Sequence, residues 1–200
     1  MRNDFGRGGR GSATMSRRAL INAGAAGVAG LALGGMASRS KAGDKPGKAE
    51  QRLAALGVVL PEPTAAVATY APYRIVGDMV YVAGQGPSQE TGAKVFGKLG
   101  RDLTIEEGAY AARLTAISIL AQAKAACAGD LDRIIQWVRL TGFVNSTDDF
   151  IDQPTVINGA SDLLVEVFGE KGLHARAAIG VNSLPFNIAV EIEAAFQIRV

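Results

Sequence analysis

Val190-Glu191-Ile192-Glu193-Ala194-Ala195-Phe196-Gln197-Ile198 is the most regular alternation in the chain. In an extended backbone it puts Val190, Ile192, Ala194, Phe196 and Ile198 on one face, and Glu191, Glu193, Ala195 and Gln197 on the other. A strand that is apolar on one side only needs a second layer packed against that side. The layer is legible upstream. Thr104-Ile105-Glu106-Glu107 is a capping box, in which the Thr104 hydroxyl and the Glu107 carboxylate each satisfy a free backbone N–H. From there Ile105, Ala109, Ala112, Ala116, Ile119 and Ala123 recur at helical spacing, and Gly129 supplies the stop. Residues 152–168 read as a second amphipathic helix, with Val156, Leu163, Leu164 and Val167 for its buried face and Gly169 as its end.

Four more stretches read as strands: 67–71, 79–83, 134–144 and 175–181, with Val76-Gly77-Asp78 as the turn between the first two. Residues 84–100 are glycine-rich around Pro87 and read as a loop, and 50–56 as a short helix ending at Gly57. The order is β-β-α-β-α-β-β, an α+β domain with two helices on one side of a mixed sheet. That arrangement leaves the other sheet face bare, and the apolar strand 175–181 does not suit a water-facing edge. A closed cyclic oligomer of identical chains would cover it.

The net charge of +2 over 200 residues hides an asymmetry. Residues 1–42 hold seven Arg/Lys and one acid, Asp4, whereas residues 43–200 hold fourteen bases and eighteen acids, a net of −4. An acidic body lacks the basic footprint that grips phosphates, so no nucleic-acid partner is expected. Arg17-Arg18 before the Gly/Ala-rich run to Ala37 looks like a twin-arginine export signal, with candidate cleavage sites at 35–37 and 40–42. The expectation is a periplasmic or otherwise exported protein that meets the membrane only through its leader. A chance arginine pair before an anchor or tail, in a cytoplasmic protein, is the alternative. The Arg/Gly-rich residues 6–11 fit an extended leader, a start at Met15, or an RNA-binding tail. Residues 43–64 then form a linker and the short helix, and 65–200 the folded domain.

The chemistry-bearing residues are few. Cys127 is the single cysteine, so no intrachain disulfide can form, and its place at the end of an Ala-rich helix suits packing. With one histidine, His174, the chain lacks the ligands of a usual zinc site, and neither metal nor cofactor is expected. On a regular strand His174 is expected to point away from Arg176. Arg176 and Glu191, on neighbouring strands, form the one constellation that looks catalytic. Arg176 could instead be an ion-pair partner of Glu193 or Asp162.

Several short motifs, in order, resemble the RidA/YjgF family of reactive-intermediate deaminases. They are Ala71-Pro72-Tyr73, Val82-Ala83-Gly84-Gln85-Gly86-Pro87, Gly142-Phe143-Val144 with Asp149-Phe150, Ala175-Arg176, Leu184-Pro185 and Val190-Glu191-Ile192-Glu193-Ala194. The resemblance covers about residues 65–199. It implies a chorismate-mutase-like fold and a homotrimer with active sites in clefts between subunits. It also implies hydrolysis of small enamine or imine acids to 2-keto acids and ammonia. By position, Arg176 would clamp the substrate carboxylate, Glu191 would position or activate water, Tyr73 would line the pocket, and backbone at Gly84 and Ala178 would orient the ligand. Ala177 and Ala178 stand where many deaminating members carry a hydroxyl and a thiol, and Ala83 replaces a common serine. The resemblance is therefore to a divergent branch. A non-catalytic trimer that binds small carboxylates is the alternative.

Overall fold

A computed structural model describes residues 47–200. The expected leader over residues 1–42 lies outside the described residues. The chain runs α1 (Lys48–Ala55), β1 (Tyr73–Val76), β2 (Met79–Gln85), α2 (Ile105–Ala126), β3 (Ile134–Asn145), α3 (Gln153–Phe168), β4 (Ala175–Val181) and β5 (Val190–Ile198). The five strands form one sheet in the order β1-β2-β5-β3-β4. Only β3 and β4 run parallel; the other neighbours are antiparallel. This is the expected α+β architecture, with α2 and α3 packed on one sheet face.

One element differs from expectation. Residues 67–71 are not a strand; the first strand is Tyr73–Val76. The cause is the turn. Val76 pairs directly with Met79, so only Gly77 and Asp78 lie between the strands, and Gly77 takes a φ of 62°. A two-residue hairpin with glycine in first position forces pairing to begin at the turn itself, which leaves residues 67–71 free to follow another path.

The capping box at Thr104 forms as read: Glu107 N donates to Thr104 Oγ1 at 3.2 Å and Thr104 N donates to Glu107 Oε2 at 2.9 Å. At the other end Ala128, not Gly129, is the first residue with positive φ, at 55°, followed by Gly129 at 94°. The N-cap of α1 is Gly47, which has no side chain to cap with. Asp132 supplies one from a distant turn, accepting from Lys48 N at 2.7 Å and Ala49 N at 3.0 Å.

The core lies between helices and sheet. The alternation in β5 holds throughout, with Val190, Ile192, Ala194, Phe196 and Ile198 buried. Trp137 of β3 is fully buried, its ring 4.8 Å from Phe196 and 5.7 Å from Phe168. Tilted aromatic pairs of this kind add about 1 kcal/mol each beyond area burial. Helices α2 and α3 cross so closely that a Cβ at Gly159 would overlap the Ala109 carbonyl. Among the described residues no helix packs on the other sheet face, where Val76, Tyr81 and Ile179 are 65%, 50% and 45% exposed.

Candidate functional site

Arg176 stands on β4, an edge strand. Its register partner is Leu140, which in turn faces Ala194, so it projects toward the helices. There Nη1 donates to Asn158 Oδ1 at 2.8 Å and Ser161 Oγ at 3.1 Å, and Nη2 donates to Pro154 O at 3.3 Å, all from α3. Asn158 and Ser161, three apart on a helix, share the face that meets β4, a spacing that could have flagged them in the sequence. All three acceptors are neutral. The ion pairs with Glu193 or Asp162 do not form, and among the described residues Arg176 pairs with no carboxylate.

His174 joins the same cluster. Its Nδ1 is 2.7 Å from Gly172 O, which can only accept, so Nδ1 carries the proton. Nε2 then accepts from Ser161 Oγ at 3.1 Å. Burial chiefly, with the nearby Arg176 charge, lowers the His174 pKa, and the bond to Gly172 works against that. The expectation that His174 faces away from Arg176 is corrected: residues two apart in an extended chain share a face. Ala178, two beyond Arg176, lies on this face as well and packs against the core. Its side chain carries no reactive group.

Toward the other side of the sheet β1 ends opposite Val82, which leaves the end of β2 as the local edge; there β2 bulges between Val82 and Gln85, where three residues of β2 span two of β5. Gln85 holds the bulge, its Nε2 donating to Ala83 O and Gly84 O, both at 3.1 Å. Gln122 of α2 fixes the neighbouring chain by donating to Thr64 O at 2.7 Å. The bulge brings Gly84 under Glu191, and a Cβ at Gly84 would overlap the Glu191 carboxylate. Any side chain there would have to displace that carboxylate. Burial first, and the charge of Glu193 second, raise the Glu191 pKa from its ordinary value.

Gly84 and Glu191 line a cleft of about 710 Å³ that wraps the end of β2. Its walls come from the 61–72 segment, residues 84–89, Phe96, Ser118 and the Pro185–Asn187 turn. The volume falls within the range of small-molecule sites. Sequence reasoning missed Tyr70, Phe96 and Phe186, because nothing in their spacing marks them. Tyr73, the expected pocket residue, sits in register with Val82 and packs on the core, while Tyr70 lines the cleft. Cys127 is buried and its thiol is pushed up to about 11 by that burial, which leaves it unreactive. Among the described residues no group of three His, Cys, Asp or Glu could hold a metal.

The chain thus brings Glu191 and Gly84 together and keeps Arg176 and Ala178 apart from them. Glu191, in register with Phe143, faces away from the helices, whereas Arg176 faces toward them. The two strands expected to be neighbours are not: β3 lies between β5 and β4, so two strand spacings, roughly 10 Å, separate the strand of Glu191 from that of Arg176.

Residues 50–194 match the family described as "YjgF/chorismate mutase-like, putative endoribonuclease". Protein TCP17 of Trypanosoma cruzi is 44% identical over 154 residues, covering 76% of this chain and 96% of that protein. A solved structure from Agrobacterium tumefaciens, of unknown function, is 47% identical with a TM-score of 0.71, covering 76% of this chain and 93% of that one. A "putative endoribonuclease" from Shewanella oneidensis is 40% identical, also with a TM-score of 0.71, over 75% and 99% of the two chains.

Proposed function

The chain belongs to the YjgF/chorismate mutase-like family, and on that premise we propose that it hydrolyses small reactive enamine or imine acids to 2-keto acids and ammonia. The observation that carries the reading is Arg176: a guanidinium fixed by three neutral acceptors, with its charge unpaired by any described carboxylate. A planar cation held in that way suits a substrate carboxylate, which it can bind bidentately. The second group is Glu191, a carboxylate with raised pKa in a cleft. Such a group can take a proton from water and return it to a leaving amine.

The steps balance without a cofactor. An enamine first takes a proton from solvent at carbon to become the protonated imine. Water adds to the imine carbon as Glu191 accepts its proton, giving a carbinolamine. Glu191 returns that proton to the nitrogen, ammonia leaves, and the hydroxyl proton passes to solvent as the keto group forms. Much of the acceleration would come from holding a reactive substrate beside the water.

Arg176 and Glu191 face opposite sides of one sheet and stand two strands apart, so one chain does not present both to one small molecule. We therefore place the site between copies, the β4 edge of one against the β2 edge of the next, in a homotrimer that would also cover the bare sheet face. The Arg17-Arg18 leader motivates an exported location, which cell fractionation with both arginines changed to lysine would check.

A second reading, a carboxylate-binding trimer without turnover, is favoured by Ala177 and Ala178, which offer neither hydroxyl nor thiol. The endoribonuclease description of the relatives finds little support in a body of net charge −4. The deciding experiment measures ammonia and 2-keto acid release from imino acids generated in situ by an amino-acid oxidase, comparing the full chain with Arg176→Ala. Arg176-dependent acceleration supports the deaminase. Saturable carboxylate binding with no acceleration supports the binding module.

A further inference from the structure

The cleft around Glu191 is lopsided in chemistry. Among the described residues lining it, Glu191 is the one charged group, and no lysine or arginine is present to receive an anion. Most of the wall is apolar, and three aromatic rings stand exposed along it: Phe186 at 81%, Phe96 at 53% and Tyr70 at 49%. Exposed aromatics concentrated in one concavity mark a binding surface rather than ordinary scatter.

Phe186 is also held there at a cost. Phe186 and Asn187 have consecutive positive φ angles of 56° and 59°, a conformation that non-glycine residues rarely adopt. The surroundings enforce it. Gly97 N donates to Asn187 O at 2.8 Å, Asn145 Nδ2 donates to Asn187 Oδ1 at 3.2 Å, and Phe96 pairs with Ile188 in an isolated bridge. The same contacts that hold the turn bring Phe96 and Phe186 to one cleft.

We propose that this cleft is the side-chain pocket, and that the substrates are 2-imino acids or enamines bearing an aromatic ring. The inference rests on the deaminase reading and deepens it. Charge sets the orientation: Glu191 repels the substrate carboxylate, which extends out to Arg176 of a neighbouring copy. The reacting carbon then lies beside Glu191, and the other end of the molecule fills the apolar wall. A methyl group would leave most of about 710 Å³ to water, whereas a phenyl or indole ring would cover Phe96 and Phe186.

The test uses the full chain and imino acids generated from phenylalanine and from alanine. The phenylalanine-derived imine should be preferred at least tenfold in kcat/KM. Phe186→Ala should bring the ratio of kcat/KM for the phenylalanine-derived over the alanine-derived imine down to about twofold or less. Equal rates on the two imines, or a Phe186→Ala loss that is the same on both, would overturn the pocket while leaving the deaminase standing. If neither imine is turned over, the deaminase reading fails and calorimetry with phenylpyruvate and pyruvate judges the pocket. Tighter binding of phenylpyruvate, lost in Phe186→Ala, would uphold it; equal affinities or no binding would sink it.

Discussion

The two edges of the sheet are built from different materials. At β4, Arg176 sits among neutral hydrogen-bonding groups, with His174 and Asn158 linked through Ser161 and Arg176 into one chain of contacts. At the free end of β2, Glu191 of the adjacent β5 sits above a glycine bulge in a cleft walled by aromatic and proline residues. One edge fixes a cation without neutralising it; the other makes a carboxylate reluctant to ionise. On the proposed function each would supply half of a site for a small anionic electrophile.

The comparison can be broken at either edge. The largest effect is expected at Glu191, where Glu191→Gln should lower kcat about a thousandfold in the imine assay by removing the proton acceptor. Arg176→Lys keeps the charge but not the planar fork, and should lower kcat/KM about a hundredfold, chiefly through KM. Activity near wild type in the lysine variant would mean that the guanidinium is only a strut for α3. Gly84→Ala should cost about tenfold in kcat, because the new methyl displaces the Glu191 carboxylate; a crystal structure of the variant would show the displacement. Ser161→Ala should raise KM only a fewfold, since Asn158 and Pro154 still hold the guanidinium.

The smallest effects are in stability against pH, and the two edges should carry opposite signs. Glu191 has a raised pKa when folded, so its contribution is full below the ordinary value of ~4.5 and is lost as pH rises through the folded value. Glu191→Gln should therefore gain stability at neutral pH relative to the wild type, and gain none near pH 3. His174 has a lowered pKa, so its contribution is full above ~6.5 and is lost as pH falls through the folded value. His174→Gln should flatten that acid-side loss. Denaturant titrations across the pH range check both signs.

Most of the fold was legible because its signals are local. The capping box, the period of α2 and the alternation of β5 each depend on neighbouring residues, and each stands as read. The first strand was misplaced because its register comes from a two-residue turn, and β-rich composition over 67–71 outweighed that turn in the reading. The site was half legible. Glu191 beside Gly84 follows from strand pairing plus one bulge, whereas Arg176 on the opposite face follows from counting along β4 in register with Leu140. The aromatic wall was not legible, since Phe96 and Phe186 meet only through a bridge between two loops. No single-strand pattern encodes such a meeting.

The central claim is that the two edges complete one site only across copies, and subunit complementation tests it most directly. Arg176→Ala and Glu191→Gln, each inactive alone, would be denatured together, co-refolded at equal concentration and assayed on the imine, with mixed assembly checked by differently tagged chains. The account predicts recovery to roughly a quarter of wild-type activity, the fraction of random inter-subunit clefts that receive both intact residues. No recovery from a mixture shown to contain mixed oligomers would contradict it, and would mean that Arg176 and Glu191 act from the same chain or not together at all.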